Sequence, residues 1–496
     1  MIGFTESQNL ATIWQLIYRI VAQVWNMIMI LRLFSPLSPK ALLCVLLMLA
    51  ITGCSLNPFD GLFSGDDEID DELDDDGRIP VLALEDIVKV DPRLVGTTVT
   101  IPPSYVNSSW PQAGGEADHT LHHLSGDLKL KVKWSADIGA ASERLERVTA
   151  PPIVADGRVF VVDAEAKVSA YNQEDGDLLW RTELTRDVKE RFRIQEILAR
   201  PKASQKGFGG GVAYENGNVF VTSGFGFVAA LNAETGEEIW ITDTDAPVRT
   251  PPTAYRGAVY LTTITNDFVV YDQATGEKQW NHQSFEETAR ILSSASPAAS
   301  GDLVVAPFSS GEVVAFLTDN GRSVWTDSLT RNAQLTALST LNDIAGSPVI
   351  DRGLVYAVSH AGQLVAIDIR SGERLWEISV TGLQMPWVAG DYIYLVSVDA
   401  ELVCVSREQG GIVWVSELPR HEKPKKKKGR IAWSGPVLAG EHLILVSTHG
   451  QLIKVTPDDG TIVDTKKISG GSVVPPVIAD ETLFVLTEKG KLLAMN

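Results

Sequence analysis

The run Ala366-Ile367-Asp368-Ile369-Arg370-Ser371-Gly372-Glu373-Arg374-Leu375-Trp376 decides the fold. It reads as a strand ending at Asp368, a turn through Arg370-Ser371-Gly372, and a second strand carrying Trp376. Glycine at the end of such a turn supplies the positive φ of a type I turn with a bulge, which joins antiparallel strands. Upstream lie two more strand-like pieces, Leu354-Val355-Tyr356-Ala357-Val358 and Pro348-Val349-Ile350, with turns at Asp351-Arg352-Gly353 and His360-Ala361-Gly362. One unit is therefore four short antiparallel strands. Alternation places its tryptophan on one face of the outer strand, where it packs against a neighbouring sheet.

The unit recurs. A glycine followed four residues later by tryptophan stands at Gly176/Trp180, Gly236/Trp240, Gly276/Trp280, Gly321/Trp325, Gly372/Trp376 and Gly410/Trp414, and a seventh copy puts Asp464 after Gly460. The landmarks are 60, 40, 45, 51, 38 and 50 residues apart, the spacing of propeller blades. The longest gap holds an insertion, residues 185–210, whose middle (188–198) reads as helical. First strands near Pro152, Val212, Pro252, Pro297, Pro348, Pro386, Pro436 and Pro476 make eight units, and the eighth stops at Asn496 after its third strand. The missing strand is Leu128-Lys129-Leu130-Lys131-Val132-Lys133-Trp134, an outer strand with no three strands ahead of it. Pairing it with the C-terminal strands leaves no open edge between first and last blades. The expected fold is all-β: an eight-bladed β-propeller of four-stranded antiparallel blades over residues 128–496, the last blade closed by an N-terminal strand.

Composition agrees. At 496 residues the chain exceeds what one core supports, so several domains or one repetitive body is required. The formal charge of −20 argues against a nucleic-acid-binding body, and three cysteines cannot build a disulfide framework or a multi-cysteine zinc site.

Ahead of the repeats, residues 1–53 read as a signal peptide, with the start near Met27 or Met29 and the stretch before it an over-extension. Arg32 and Lys40 precede an eleven-residue apolar core, 41–51, too short to span a bilayer. Ile51-Thr52-Gly53-Cys54 resembles the lipobox of bacterial lipoproteins, in which the cysteine carries the lipid; Ser55 after it implies sorting to the outer membrane. Residues 54–78 form the lipidated end and an acidic tether with ten carboxylates, self-repelling and extended. A calcium site there would need a spacing that this run lacks. Residues 79–127 are a partly ordered arm, in which His119, His122 and His123 read as surface histidines rather than metal ligands. The basic run 420–430, with Lys423 and Lys425 to Lys428, lies between the sixth and seventh blades. It is either a solvated loop tip or a contact for anionic lipid or an acidic partner.

The 366–376 unit is similar to the repeat of quinoprotein-type propellers. With the lipobox ahead and eight blades behind, residues 50–496 resemble the BamB family, lipoproteins of the outer-membrane β-barrel assembly (BAM) machinery. Gly209-Gly210-Gly211-Val212-Ala213-Tyr214, Ser309-Ser310-Gly311-Glu312 and Trp433-Ser434-Gly435-Pro436 are similar to its alphaproteobacterial branch. The resemblance implies a non-catalytic scaffold, lipid-anchored at the periplasmic face of the outer membrane. It would bind the POTRA domains of BamA and assist insertion of outer-membrane protein clients. The implied partner contact falls on Arg290-Ile291-Leu292 and on Leu341-Asn342-Asp343-Ile344-Ala345. Ile291 and Leu292 would be the apolar anchors and Asp343 a charge at the rim, with Arg290 displaced from its family position and Ala345 replacing a second acid. Ordinary packing of these loops on their own blades is the alternative.

The rival reading is a dehydrogenase dependent on pyrroloquinoline quinone (PQQ), which shares the repeat but needs a calcium-and-quinone cage. The chain has no adjacent cysteine pair, and Cys404 lies in a strand-like run as a small buried residue. No nucleophile motif or histidine–carboxylate metal spacing is present, and the glycine-rich 207–211 opens a strand rather than a helix. No catalytic residue, cofactor or metal is expected. A polysaccharide or peptidoglycan binder is the third class.

Overall fold

Gly372 has φ +74°, and the pairing of Leu364–Asp368 with Arg374–Ile378 slips by one residue at Ala366/Ile367, so the turn carries its bulge. The computed structural model describes residues 88–142, 147–184, 209–286, 295–330 and 343–496. Their strands form eight antiparallel sheets of four, each in simple sequential order except the last. Blade 1 begins at Ile153–Ala155, blade 2 at Gly210–Glu215, blade 3 at Thr253–Tyr255 and blade 4 at Ala298–Ser300. Blades 5 to 8 begin at Val349–Asp351, Trp387–Ala389, Trp433–Ala439 and Val477–Ala479. First strands of successive blades touch from blade 1 through blade 7, so they are the innermost and line the central channel.

Closure follows the expected route with a shifted boundary. The closing strand is Val132–Asp137, not 128–134, and pairs antiparallel with Lys491–Met495. Leu130 adopts φ +55°, which ends the extended run, while Lys131 and Asn496 still exchange backbone hydrogen bonds of 2.8 and 3.1 Å. Residues 185–208 of the insertion, including the stretch expected to be helical, lie outside the described residues.

The glycine and tryptophan of the repeat turn out to be partners across blades. The indole of each blade covers the turn glycine of the next: a Cβ added to Gly176, Gly236, Gly276, Gly321, Gly372, Gly410 or Gly460 would fall 2.4–2.8 Å from an indole atom of the preceding blade. Six indole N–H groups also donate to a carbonyl of that next blade, from Trp134 to Gln173 O (3.1 Å) round to Trp414 to Pro457 O (3.1 Å). Seven of the eight blade boundaries are thereby held by a packed indole, and six of these add a hydrogen bond; the Trp280 N–H, between blades 3 and 4, has no partner among the described residues. The exception at Asp464 now has a reason. Blade 7 faces blade 8, whose third and fourth strands come from opposite ends of the propeller and share no covalent turn, hence no glycine to cover.

The largest departure from expectation is the arm. From residue 88 on it is ordered and makes one circuit of the channel, bonding to the innermost strand of every blade. Asp480 N–H donates to Asn107 O (2.7 Å) in blade 8, and Trp110 and Val154 exchange both backbone bonds (2.6 and 2.9 Å) in blade 1. Tyr214 N–H donates to Pro111 O (2.8 Å) in blade 2. In blade 3 the Gln112 amide takes both backbone groups of Ala254 (2.8 and 3.0 Å), as a neighbouring strand would. Ala299 N–H reaches Ala117 O (2.7 Å) in blade 4, and Ile350 N–H reaches Asp118 O (2.9 Å) in blade 5. The Trp387 indole donates to His122 O (2.8 Å) in blade 6, and Leu124 brackets Leu438 and Gly440 (3.1 and 3.0 Å) in blade 7. Innermost strands present unpaired N–H and C=O groups to the channel, and the arm satisfies them. Trp110 is 1% exposed and stacks on Trp387 with centroids 6.1 Å apart, bridging blades 1 and 6.

Candidate functional site

Four-stranded antiparallel blades have two unlike faces. One carries the turns between first and second and between third and fourth strands. The other carries the remaining hairpin turns and the blade-to-blade connections. The arm meets the first face, touching the first-to-second turns at Gly390, Gly440 and Asp480. The connections into blades 4 and 5 belong to the second face, opposite the arm.

Of the residues expected at the partner contact, Arg290, Ile291 and Leu292 fall outside the described residues, as do Leu341, Asn342 and the lipidation residue Cys54. Asp343 is described, and it is not at a rim: it is 4% exposed, with Ile344 and Ala345 buried beside it. His360 N–H donates to its backbone carbonyl (3.0 Å), and Ile344 joins the core between blades 4 and 5. Ile344 fills the blade junction, and Asp343 is buried beside it. Asp343 therefore presents no charge at a rim.

Asp343 and Ile344 close one side of a shallow, open cleft on this face. Thr250, Thr262, Thr263, Asn266 and Ser309 give it hydroxyl and amide character, while Ile264, Pro307 and Phe308 form an apolar side. Asn266 is rigidly placed: its carbonyl oxygen accepts from the Ser309 hydroxyl (2.8 Å) and its amide donates to Phe285 O (2.6 Å). The cleft lies between the described ends of the two connections, at Ala295 and Asp343.

The histidines need correcting. His119 and His123 are 3% and 4% exposed, not on the surface. His119 Nδ1 donates to Pro348 O (2.7 Å), and burial pulls its pKa down to about 4, so the ring is neutral. His123 bonds Pro102 O through Nδ1 (2.7 Å) and accepts the Glu441 N–H at Nε2 (3.3 Å). Half-buried His122 stands 3.7 Å from Asp351. His119 and His122 face blade 5, while His123 joins the arm to itself and to blade 7, and among the described residues no group of three or more histidine, cysteine or acidic side chains is placed to hold a metal ion. Nothing in their spacing could have shown this, because their blade partners Pro348, Asp351 and Glu441 lie far along the chain. Cys404 is a buried strand residue, as expected, and burial pushes its thiol pKa far up, away from nucleophilic use. A buried ion pair that sequence reasoning missed joins blades 5 and 6: the Arg407 guanidinium contacts Asp351 and donates to the Tyr356 hydroxyl (2.6 Å).

A sequence profile described as outer membrane protein assembly factor BamB matches residues 120–202, 166–416 and 417–496. The chain belongs to the BamB family. It is 26% identical over 371 residues to the assembly factor BamB of Shewanella oneidensis, covering 74% of this chain and 89% of that protein. It is also 26% identical to the BamB of Salmonella typhimurium, covering 76% and 91%. Uncharacterized proteins of Rickettsia prowazekii and Rickettsia conorii match at 23% identity, and the chain spans just under two thirds, 65% and 66%, of their lengths. Among solved structures, BamB from Moraxella catarrhalis superposes with a TM-score of 0.59 at 18% identity, over 74% of this chain and 99% of that one. A europium-containing methanol dehydrogenase superposes equally well, TM-score 0.59 at 14% identity, over 76% and 89%. The BamB fold is thus shared with enzymes, and fold likeness alone does not separate a scaffold from a catalyst.

Proposed function

We propose that this chain is a non-catalytic scaffold of the outer-membrane β-barrel assembly machinery. In this reading Cys54 carries the lipid that holds it at the periplasmic face of the outer membrane. The connections into blades 4 and 5 bind the POTRA domains of BamA, and the complex assists insertion of outer-membrane proteins. Membership of the BamB family carries the reading. Ile291 and Leu292 supply apolar anchors and Arg290 a flanking charge, while Asp343 stands buried at the base of the second connection. The test is capture of BamA by the membrane-purified chain. Ile291→Glu with Leu292→Glu abolishes capture while thermal melting stays unchanged; undiminished capture sinks the site.

A quinone-dependent enzyme is the second reading, favoured by the likeness to methanol dehydrogenase. Two features count against it: the arm occupies the inner edges of all eight blades, and the single described thiol is buried and inert. Stoichiometric uptake of PQQ with calcium, followed by dye-linked alcohol oxidation, would overturn the scaffold reading.

A further inference from the structure

The connection from blade 6 to blade 7 is built as a projecting hairpin rather than a loop tip. His421–Lys423 pairs antiparallel with Lys428–Arg430, and a 3-10 turn at Pro424–Lys426 closes it, with Lys427 in the left-handed region at φ 45°. Its root is fixed. Ile431 N–H donates to Arg420 O (2.9 Å), Arg430 donates to Val398 O (2.9 Å), and Arg420 pairs with Glu401 at 3.3 Å. Ile431 and Trp433 are buried beneath it. Beyond the root, residues 422–430 are all exposed. Residues 420–430 hold seven lysines and arginines and one acid, Glu422, on a chain whose formal charge is −20. Among the described residues, no carboxylate pairs with Lys423 or with Lys425 to Lys428.

Among the described residues these five lysines have no counter-charge and repel one another, so the patch favours an added anion. The side-chain chemistry says which kind. Protein interfaces are depleted in lysine and centred on aromatic or arginine anchors, and this tip offers no bulky apolar side chain except Pro424. Lysine is a hydrated point charge on a flexible stem. That suits a layer of anionic headgroups, where no shape complementarity is required.

The arm supplies a second, independent observation. The outermost strand of blade 6 is Ile412–Glu417, and Asp91 N–H of the arm donates to Ile412 O (2.8 Å) at its start. Leu94 packs over it, so Ile412 and Val413 are buried, whereas Leu178 and Leu179 on the matching strand of blade 1 are about half exposed. The chain leaves the other end of the same strand to enter the hairpin. The arm's first described residues and the root of the basic hairpin are therefore at opposite ends of one strand, roughly 20 Å apart.

We propose that the 420–430 hairpin binds anionic phospholipid headgroups and turns the blade 6–blade 7 edge toward the membrane. The location rests on the reading of a membrane-anchored chain; the binding chemistry does not.

The test uses the full chain carrying Cys54→Ser, so that no acyl chain contributes, sedimented with vesicles. One set is phosphatidylcholine alone and the other contains about one third phosphatidylglycerol. Binding to the anionic vesicles only, lost on raising salt from about 0.1 M to about 0.5 M, is the expected result. Lys425→Gln, Lys426→Gln, Lys427→Gln and Lys428→Gln together lower the partition coefficient by roughly five-fold per lysine, several hundred-fold in all. The melting temperature of this variant is unchanged, since all four side chains are exposed. Equal binding to both vesicle types, no binding to either, or equal binding by the variant overturns the proposal. So does hairpin-dependent capture of an acidic protein without vesicle binding. The acyl state of Cys54 is read separately, by mass spectrometry of the membrane-purified chain. An unacylated Cys54 with hairpin-dependent vesicle binding removes the anchor and leaves the hairpin's chemistry standing.

Discussion

Gly176→Ala puts the blade-to-blade contact to a quantitative test. Gly176 has φ +78°, and an added Cβ would fall 2.5 Å from Cε3 and 2.7 Å from Cδ2 of Trp134. Cδ2 is a ring-fusion atom and Cε3 is bonded to it, and neither can swing away: the indole is 9% exposed, donates to Gln173 O at 3.1 Å, and lies against Phe484 with centroids 5.9 Å apart. Gly157, in the same blade, has φ +70° and open space where its Cβ would go. Gly157→Ala therefore meets backbone strain alone, about 1–2 kcal/mol. Gly176→Ala meets the same strain plus overpacking of about 1–3 kcal/mol, for a total of about 2–5 kcal/mol. Trp134→Ala by itself costs about 3–5 kcal/mol, but in that background the second substitution has room, and its cost drops to strain alone. Urea unfolding followed by far-UV circular dichroism yields all four corners of the cycle. If Gly176→Ala costs no more than Gly157→Ala, or costs the same with and without Trp134, the pairing of glycine and tryptophan across blades is not what holds the ring.

Further outcomes follow from the same contacts. Removing the last ten residues deletes the strand Lys491–Met495, which pairs with Val132–Asp137 on one side and Thr482–Leu486 on the other. The whole propeller then melts lower in a thermal scan, and melting at the full-length temperature would refute closure by this strand. Gln112→Leu strips both backbone groups of Ala254 of their partner and destabilises by about 2–4 kcal/mol in urea unfolding, whereas a peripheral polar residue would cost under about 0.5 kcal/mol. His119 titrates at about 4 in the fold against an ordinary 6.5, so the unfolded chain takes the proton first. Stability is full above about pH 6.5 and falls as pH drops toward about 4, by up to about 3 kcal/mol. His119→Asn flattens this acid limb, readable as the pH dependence of the urea midpoint.

The blade was legible because its signals are local. Asp351-Arg352-Gly353 and Arg370-Ser371-Gly372 are turns by their own φ preferences, and alternation along the outer strand Arg374–Ile378 settles which face its tryptophan takes. The eight-fold count was legible by addition, and closure by the lone strand that lacked companions. Boundaries were less so: Leu130 makes the closing strand start late, through a left-handed backbone that no apolar pattern reveals. Asp343 was misjudged because its neighbours looked like loop. Only the tertiary structure shows Ile344 packed between blades 4 and 5 with Asp343 buried beside it.

The sequence by itself determined the unit, its number and the direction in which the ring closes, since each depends on neighbours a few residues apart. It also showed glycine and tryptophan as one motif, four residues apart within a blade. Tertiary structure alone decided that they are partners between blades, and hence why Asp464 needs no indole. It alone decided the course of the arm. Residues 107–124 have no period, because they answer to a closed row of unpaired strand edges drawn from eight distant segments. That row exists only after the ring has formed, so no local pattern could encode the match.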